Sequence, residues 1–170
     1  MIARLQSQRG FALIELLAAI VMINIGILAI LLTLNSGQVT LRRSAELSTA
    51  SVVADKHMER FRALPYASIF LDTASLDAIN VDATSLGTIY RGDSAYSATQ
   101  VNQTCSPLVA ACTPSQTVTG PDGRSYRIDT YIVWSTPAGG DPVKQATVVV
   151  RRPTGSTALA RTVSTFGENF

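Results

Sequence analysis

Residues 9–34, RGFALIELLAAIVMINIGILAILLTL, decide how this chain is built. From Phe11 to Leu34 there is one charged side chain, Glu15. A helix rising about 1.5 Å per residue over that run is long enough to cross a hydrocarbon core of about 30 Å. The flank MIARLQSQRG carries Arg4 and Arg9, so the positive-inside tendency places the N-terminus in the cytoplasm and the bulk of the chain outside, with Arg42 and Arg43 weighing against it. A secretory signal would have an apolar core of about 7 to 15 residues and a small-residue cleavage site. Neither is present, so the span is expected to stay with the mature protein. Glu15 is then the anomaly, since a carboxylate within a bilayer-length helix costs about 2.5 to 3.5 kcal/mol on insertion scales.

The helical pattern continues past the apolar run. Leu47, Ala50, Ala54, Met58, Phe61 and Leu64 recur at spacings of three or four, an apolar stripe from which Arg43, Glu46, Lys56, Glu59 and Arg62 mostly diverge. Pro65 stops it. One helix of about 80 Å is expected from Phe11 to Leu64, its first part (11–37) in a membrane and its second (38–64) on the head. Gly26 and Ser36-Gly37 are weak points in it, each glycine losing about 1 kcal/mol of propensity relative to Ala. Gly26 also suits close packing between membrane helices.

Residues 65–120 show no sustained period and read mostly as loop, with a short strand expected around Thr88 to Arg91. The pattern sharpens over 121–167. SYRIDTYIVWS (125–135) sets Tyr126, Ile128, Ile132 and Trp134 on one face, Val143 to Arg152 is β-branched, and Ala158 to Phe166 is a weaker third run. GPDG (120–123), PAGGDP (137–142) and RPTGS (152–156) supply the turns. An antiparallel meander of three strands follows, or four if Gln116 to Thr119 pairs with the first. Its open face needs a cover, and the stripe from Leu47 to Leu64 is the candidate. The fold class is therefore α+β, with head 38–170.

Composition excludes several roles. Charged residues make up 15% against 46% hydrophobic, where a soluble domain carries about a quarter charged. Net charge is +2, supplied by Arg4 and Arg9, so there is no nucleic-acid footprint; the doublets Arg42-Arg43 and Arg151-Arg152 read as solvated surface. His57 has no triad or metal partner set around it and reads as an exposed or partly packed helix histidine. Asp72, Asp77, Asp82 and Asp93 lack the spacing of a calcium loop, so no metal is expected. Asn24 suits a modest interhelical hydrogen bond. No catalytic constellation and no cofactor motif stand out, so the chain is not expected to be an enzyme. Cys105 and Cys112, in the loop segment CSPLVAAC, suggest one disulfide outside the cytoplasm, with two free thiols as the alternative.

A short basic leader ending in Gly10, then Phe11, Leu13, Ile14 and Glu15, resembles the type IV pilins and the pseudopilins of type II secretion, with Ala12 where the family usually has Thr. The segment ADKHMERFRALPY (54–66) and the strands around Trp134 are similar to PilV-type minor pilins. The resemblance implies a leader, 1–10, removed by prepilin peptidase between Gly10 and Phe11, and methylation of the new Phe11 amine. It implies that Glu15 acts in filament assembly, pairing with that amine in its own or a neighbouring subunit. A Glu15 that snorkels to the headgroups is the alternative. It further implies other pilins and an inner-membrane assembly platform as partners, with passage from the cytoplasmic membrane to a pilus or pseudopilus. A membrane-anchored binding module or adhesin that never polymerises also accommodates the span, though it has no need of Gly10 to Glu15.

Overall fold

The computed structural model describes residues 9–168, with side chains from residue 13 onward. Residues 1–8 of the expected leader, and the side chains of Arg9, Phe11 and Ala12, lie outside that range. Helix α1 runs Arg9–Arg62. The chain forms two compact units, one ending at Ser44 and one beginning at Ala45.

The first unit is the N-terminal part of α1. Every described side chain in it is exposed, including Leu13, Ile20, Leu28 and Leu34. Its polar groups turn inward to the helix itself. Asn24 Nδ2 donates to the Ile20 carbonyl at 2.9 Å, and Thr33, Ser36 and Thr40 donate to carbonyls three or four residues back. In lipid such internal bonds avoid unsatisfied donors.

In the second unit the rest of α1 packs on a four-stranded antiparallel sheet, order β3-β4-β5-β6: β3 Ser115–Thr119, β4 Ser125–Ser135, β5 Val143–Arg151 and β6 Ala158–Phe166. All three runs expected from alternation form strands, and the conditional fourth pairs with the first from Ser115↔Asp129 to Thr119↔Ser125. The β3–β4 turn needs a residue at positive φ, and Gly123 supplies it at 73°. Ala50, Ala54, Met58 and Phe61 are fully buried in one core with Ile128, Ile132, Ala146, Val148 and Val150. Cross-strand partners Ile128↔Val150, Thr130↔Val148 and Ile132↔Ala146 share the face beneath α1.

Several expectations change. The strand expected at Thr88 to Arg91 belongs instead to helix α3, Ser85–Arg91, which follows helix α2, Thr73–Val81. These helices are nine and seven residues long, too short to display a period, and their caps define them: Asp72 accepts from Ser75 N at 2.9 Å, and Thr84 Oγ1 from Leu86 N at 3.3 Å. Gly87 fits because a Cβ there would collide with the Asp82 carbonyl. Leu47 is 39% exposed, because the buried stripe takes Glu46 and His57 alongside Ala50, Val53, Ala54, Met58 and Phe61. Trp134 is also exposed; α1 ends at Arg62, and Lys144 Nζ, 5.8 Å from the indole centroid, is its cationic neighbour.

Strand β4 is buried from Tyr126 to Ile132 on both faces. The face away from α1 is covered by the excursion after Pro65. Tyr90 of α3 stacks on Tyr131 at 4.5 Å, its hydroxyl donates to the Thr130 carbonyl, and Tyr131 donates to the Tyr90 carbonyl. Cys105 and Cys112 form a disulfide. The loop it closes is moored by Asp72, which accepts from Cys105 N at 3.1 Å and donates its own N–H to the Cys112 carbonyl at 2.7 Å; strand β1, Leu71–Asp72, pairs in parallel with β2, Asn102–Gln103, beside it.

Candidate processing and assembly site

Backbone helicity already holds at Arg9, so Gly10, Phe11 and Glu15 lie within one continuous helix. Positions 11 and 15 are one turn apart on the same side, at the spacing where helical neighbours meet. Glu15 is exposed, and among the described residues its carboxylate has no ion-pair or hydrogen-bond partner. It is the one charged residue of the apolar run 11–34, in a helix long and apolar enough to cross a membrane. An amine at residue 11, created by cleavage after Gly10, would neutralise it in place or across a subunit boundary.

Sequence reasoning missed the polar centre of the head. Asp129 is fully buried and accepts from Arg127 Nε at 3.2 Å, Arg151 Nε at 3.1 Å and Ser115 Oγ at 2.7 Å. Arg151 also pairs with Asp93, whose two carboxylate oxygens each accept from Arg161 Nη2 at 2.8 Å. Burial opposes ionisation of Asp93, but the Ala95 N–H and Arg161 outweigh it and hold its carboxyl below the usual range. Arg151 is thus buried, not the solvated surface residue expected, because two carboxylates remote in sequence meet it. Its neighbour Arg152 does reach solvent, and clasps Glu46 through Nε–Oε1 at 2.6 Å and Nη2–Oε2 at 2.5 Å. That bidentate hydrogen bond lowers the Glu46 pKa. Asp72 and Asp82 serve as local caps through Ser75 and Thr84. No short motif signals the network, since its members lie on β3, β4, β5, β6 and the loop after α3.

His57 is 1% exposed, against the expectation of an exposed or partly packed ring. It lies edge-on to Phe61 at 5.5 Å, with Nε2 3.3 Å from Thr130 Oγ1 and Nδ1 unpartnered. Burial, aided by Arg60, lowers its pKa from 6.5 to about 4. The unfolded chain therefore takes up a proton near pH 6.5 that the folded head refuses until about pH 4, so stability is intact above 6.5 and falls as pH drops through that window. Lowering pH from 7.5 to 5 is expected to remove about 2 kcal/mol from the unfolding free energy. Denaturant unfolding of detergent-solubilised protein measures this, and equal acid sensitivity in His57→Gln would assign the loss elsewhere.

Residues 5–31 match the family model described as the prokaryotic N-terminal methylation motif. The match takes in Gly10, Phe11 and Glu15 and ends before the head. No curated protein and no solved structure matches the chain.

Proposed function

We propose, from the premise that residues 5–31 carry the N-terminal methylation motif of type IV pilin and pseudopilin precursors, that this chain is a minor pilin, a structural subunit rather than an enzyme. In this reading prepilin peptidase cuts after Gly10 and methylates Phe11. The membrane helix then leaves the lipid for a filament core, where Glu15 pairs with a Phe11 amine, while the head faces outward and Cys105–Cys112 holds its loop. The N-terminus is cytoplasmic before assembly, and the partners are other pilins and the inner-membrane platform. The observation that carries the reading is the motif with Glu15 as the charge of an otherwise apolar span. We read a pilus rather than a secretion pseudopilus, which shares the N-terminal motif, from the resemblance of residues 54–66 and the strands around Trp134 to PilV-type minor pilins.

Mass spectrometry of membrane-extracted protein tests this directly. The expected mature chain starts at Phe11 and carries one extra methyl group on its amine. A retained Met1, or a cut after residue 34, would contradict the proposal. Replacing Gly10 by a bulky residue is expected to leave the precursor uncut, because a scissile-site glycine permits close backbone approach by the protease.

A further inference from the structure

Beside β3 the head has an open groove of about 430 Å³, bounded by α1 on one side and the end of β3 on the other. Val53, Val118 and Ile128 make its apolar floor, and Lys56 and Arg60, one helical turn apart, line it from α1. No carboxylate lines it, and among the described residues neither cation has an ion-pair partner. His57 also lines it, with the unpartnered Nδ1.

The groove adjoins a free strand edge. Thr130 N donates to the Pro114 carbonyl and Gly120 N to the Arg124 carbonyl, which makes the even-numbered positions of β3 the hydrogen-bonded ones of the antiparallel ladder. The backbone groups of Ser115, Thr117 and Thr119 therefore point away from β4, and among the described residues no strand pairs there. A strand laid along that edge would place alternate side chains over the groove floor, beneath Lys56 and Arg60.

We propose that this edge is a docking site for an extended segment of another protein that alternates apolar residues with a carboxylate. Backbone pairing with β3 supplies affinity, and the apolar floor and the two cations select the side chains. A second copy of this chain is a poor occupant: the outer strands of its four-stranded sheet, SQTVT of β3 and ALARTVSTF of β6, contain no carboxylate, β6 would bring Arg161 toward Lys56 and Arg60, and Asp72 of the short strand β1 is already held by Ser75 and Cys105. A phosphate polymer or anionic lipid would use the cations but leave the strand edge and the apolar floor unused.

The probe is the blocked heptapeptide Ser-Val-Ser-Glu-Ser-Val-Ser, which presents Val, Glu and Val on one side, titrated against the full chain in neutral detergent micelles. Saturable binding is expected with a Kd on the order of 100 µM, weakened about tenfold or more when Gln replaces the peptide's Glu. Thr117→Pro deletes an outward N–H that the sheet does not use, so the fold should tolerate it while binding falls about tenfold or more. The surface double variant Lys56→Glu/Arg60→Glu is expected to lose binding by about the same factor, and provides the test if Thr117→Pro lowers the unfolding midpoint. The proposal is overturned if the peptide does not bind saturably, or if its Glu and Gln forms bind alike. Tighter binding of phosphatidylglycerol vesicles or a single-stranded oligonucleotide, abolished by the same charge reversals, would overturn it too.

Discussion

Asp129→Ala is expected to lower the stability of the head by about 3 to 5 kcal/mol, a large share of the roughly 5 to 15 kcal/mol that holds a domain together. The effect follows from what the carboxylate leaves behind. Arg127 and Arg151 have side chains 3% and 5% exposed, and without Asp129 the first keeps only carbonyl partners near Pro153 and Gly155. Arg151 retains Asp93, but one carboxylate then serves both Arg151 and Arg161. Thermal unfolding followed by near-ultraviolet circular dichroism is expected to show a midpoint lower by about 10 °C or more. Arg62→Ala is the contrast: it pairs with Glu59, both side chains are more than half exposed, and removing it should cost less than about 1 kcal/mol. If the two variants melt together, the buried network does not carry the stability assigned to it.

Glu15→Ala is expected to have the largest functional effect. Membrane insertion should be unchanged or improved, because the substitution removes the charge of the apolar span. Recovery in sheared filaments should fall about a hundredfold or more, since burying the Phe11 amine without a partner costs about 3 kcal/mol or more per subunit, and each 1.4 kcal/mol is tenfold. Quantitative immunoblotting of the membrane and shear fractions separates the two steps. Unchanged filament recovery would favour snorkelling over pairing, and loss of the protein from the membrane would mean that Glu15 acts before assembly.

Much of this architecture was legible because it depends on neighbours in sequence. The stop after Arg62 follows from Pro65, and the strand of 125–135 from Tyr126, Ile128 and Ile132, which share one face of an alternating run. Helices α2 and α3 were not legible, because Leu76 is the only buried residue of α2 and a single anchor makes no period. Asp72 and Thr84 were their available signals, each a capping residue just before a helix. At the N-terminus Glu15 stood out as the charge within an apolar run, and Gly10 and Phe11 through the resemblance to type IV pilins and pseudopilins.

The polar face of the sheet illustrates the remaining gap. Arg127, Asp129 and Arg151 look like the solvated side of an alternating strand, and in a two-layer fold they would be. The chain between Pro65 and Cys112 folds back over that side, and Asp93, 58 residues before Arg151, becomes its counter-ion. His57 follows the same logic, since a histidine on a charged stretch of helix is buried only because Thr130, 73 residues later, lies beneath it.

The sequence by itself determined the membrane-length helix with its Glu15, the end of that helix shortly before Pro65, and the order and turns of the strands. Hydropathy, propensity and turn chemistry act over a few residues, and those features need nothing more. Only the tertiary structure decided that β4 is covered on both faces, that Asp129 and Arg151 are buried, and that the edge of β3 stays open beside Lys56 and Arg60. Burial of a charge and exposure of an edge depend on which distant segments meet, and no local pattern carries that information.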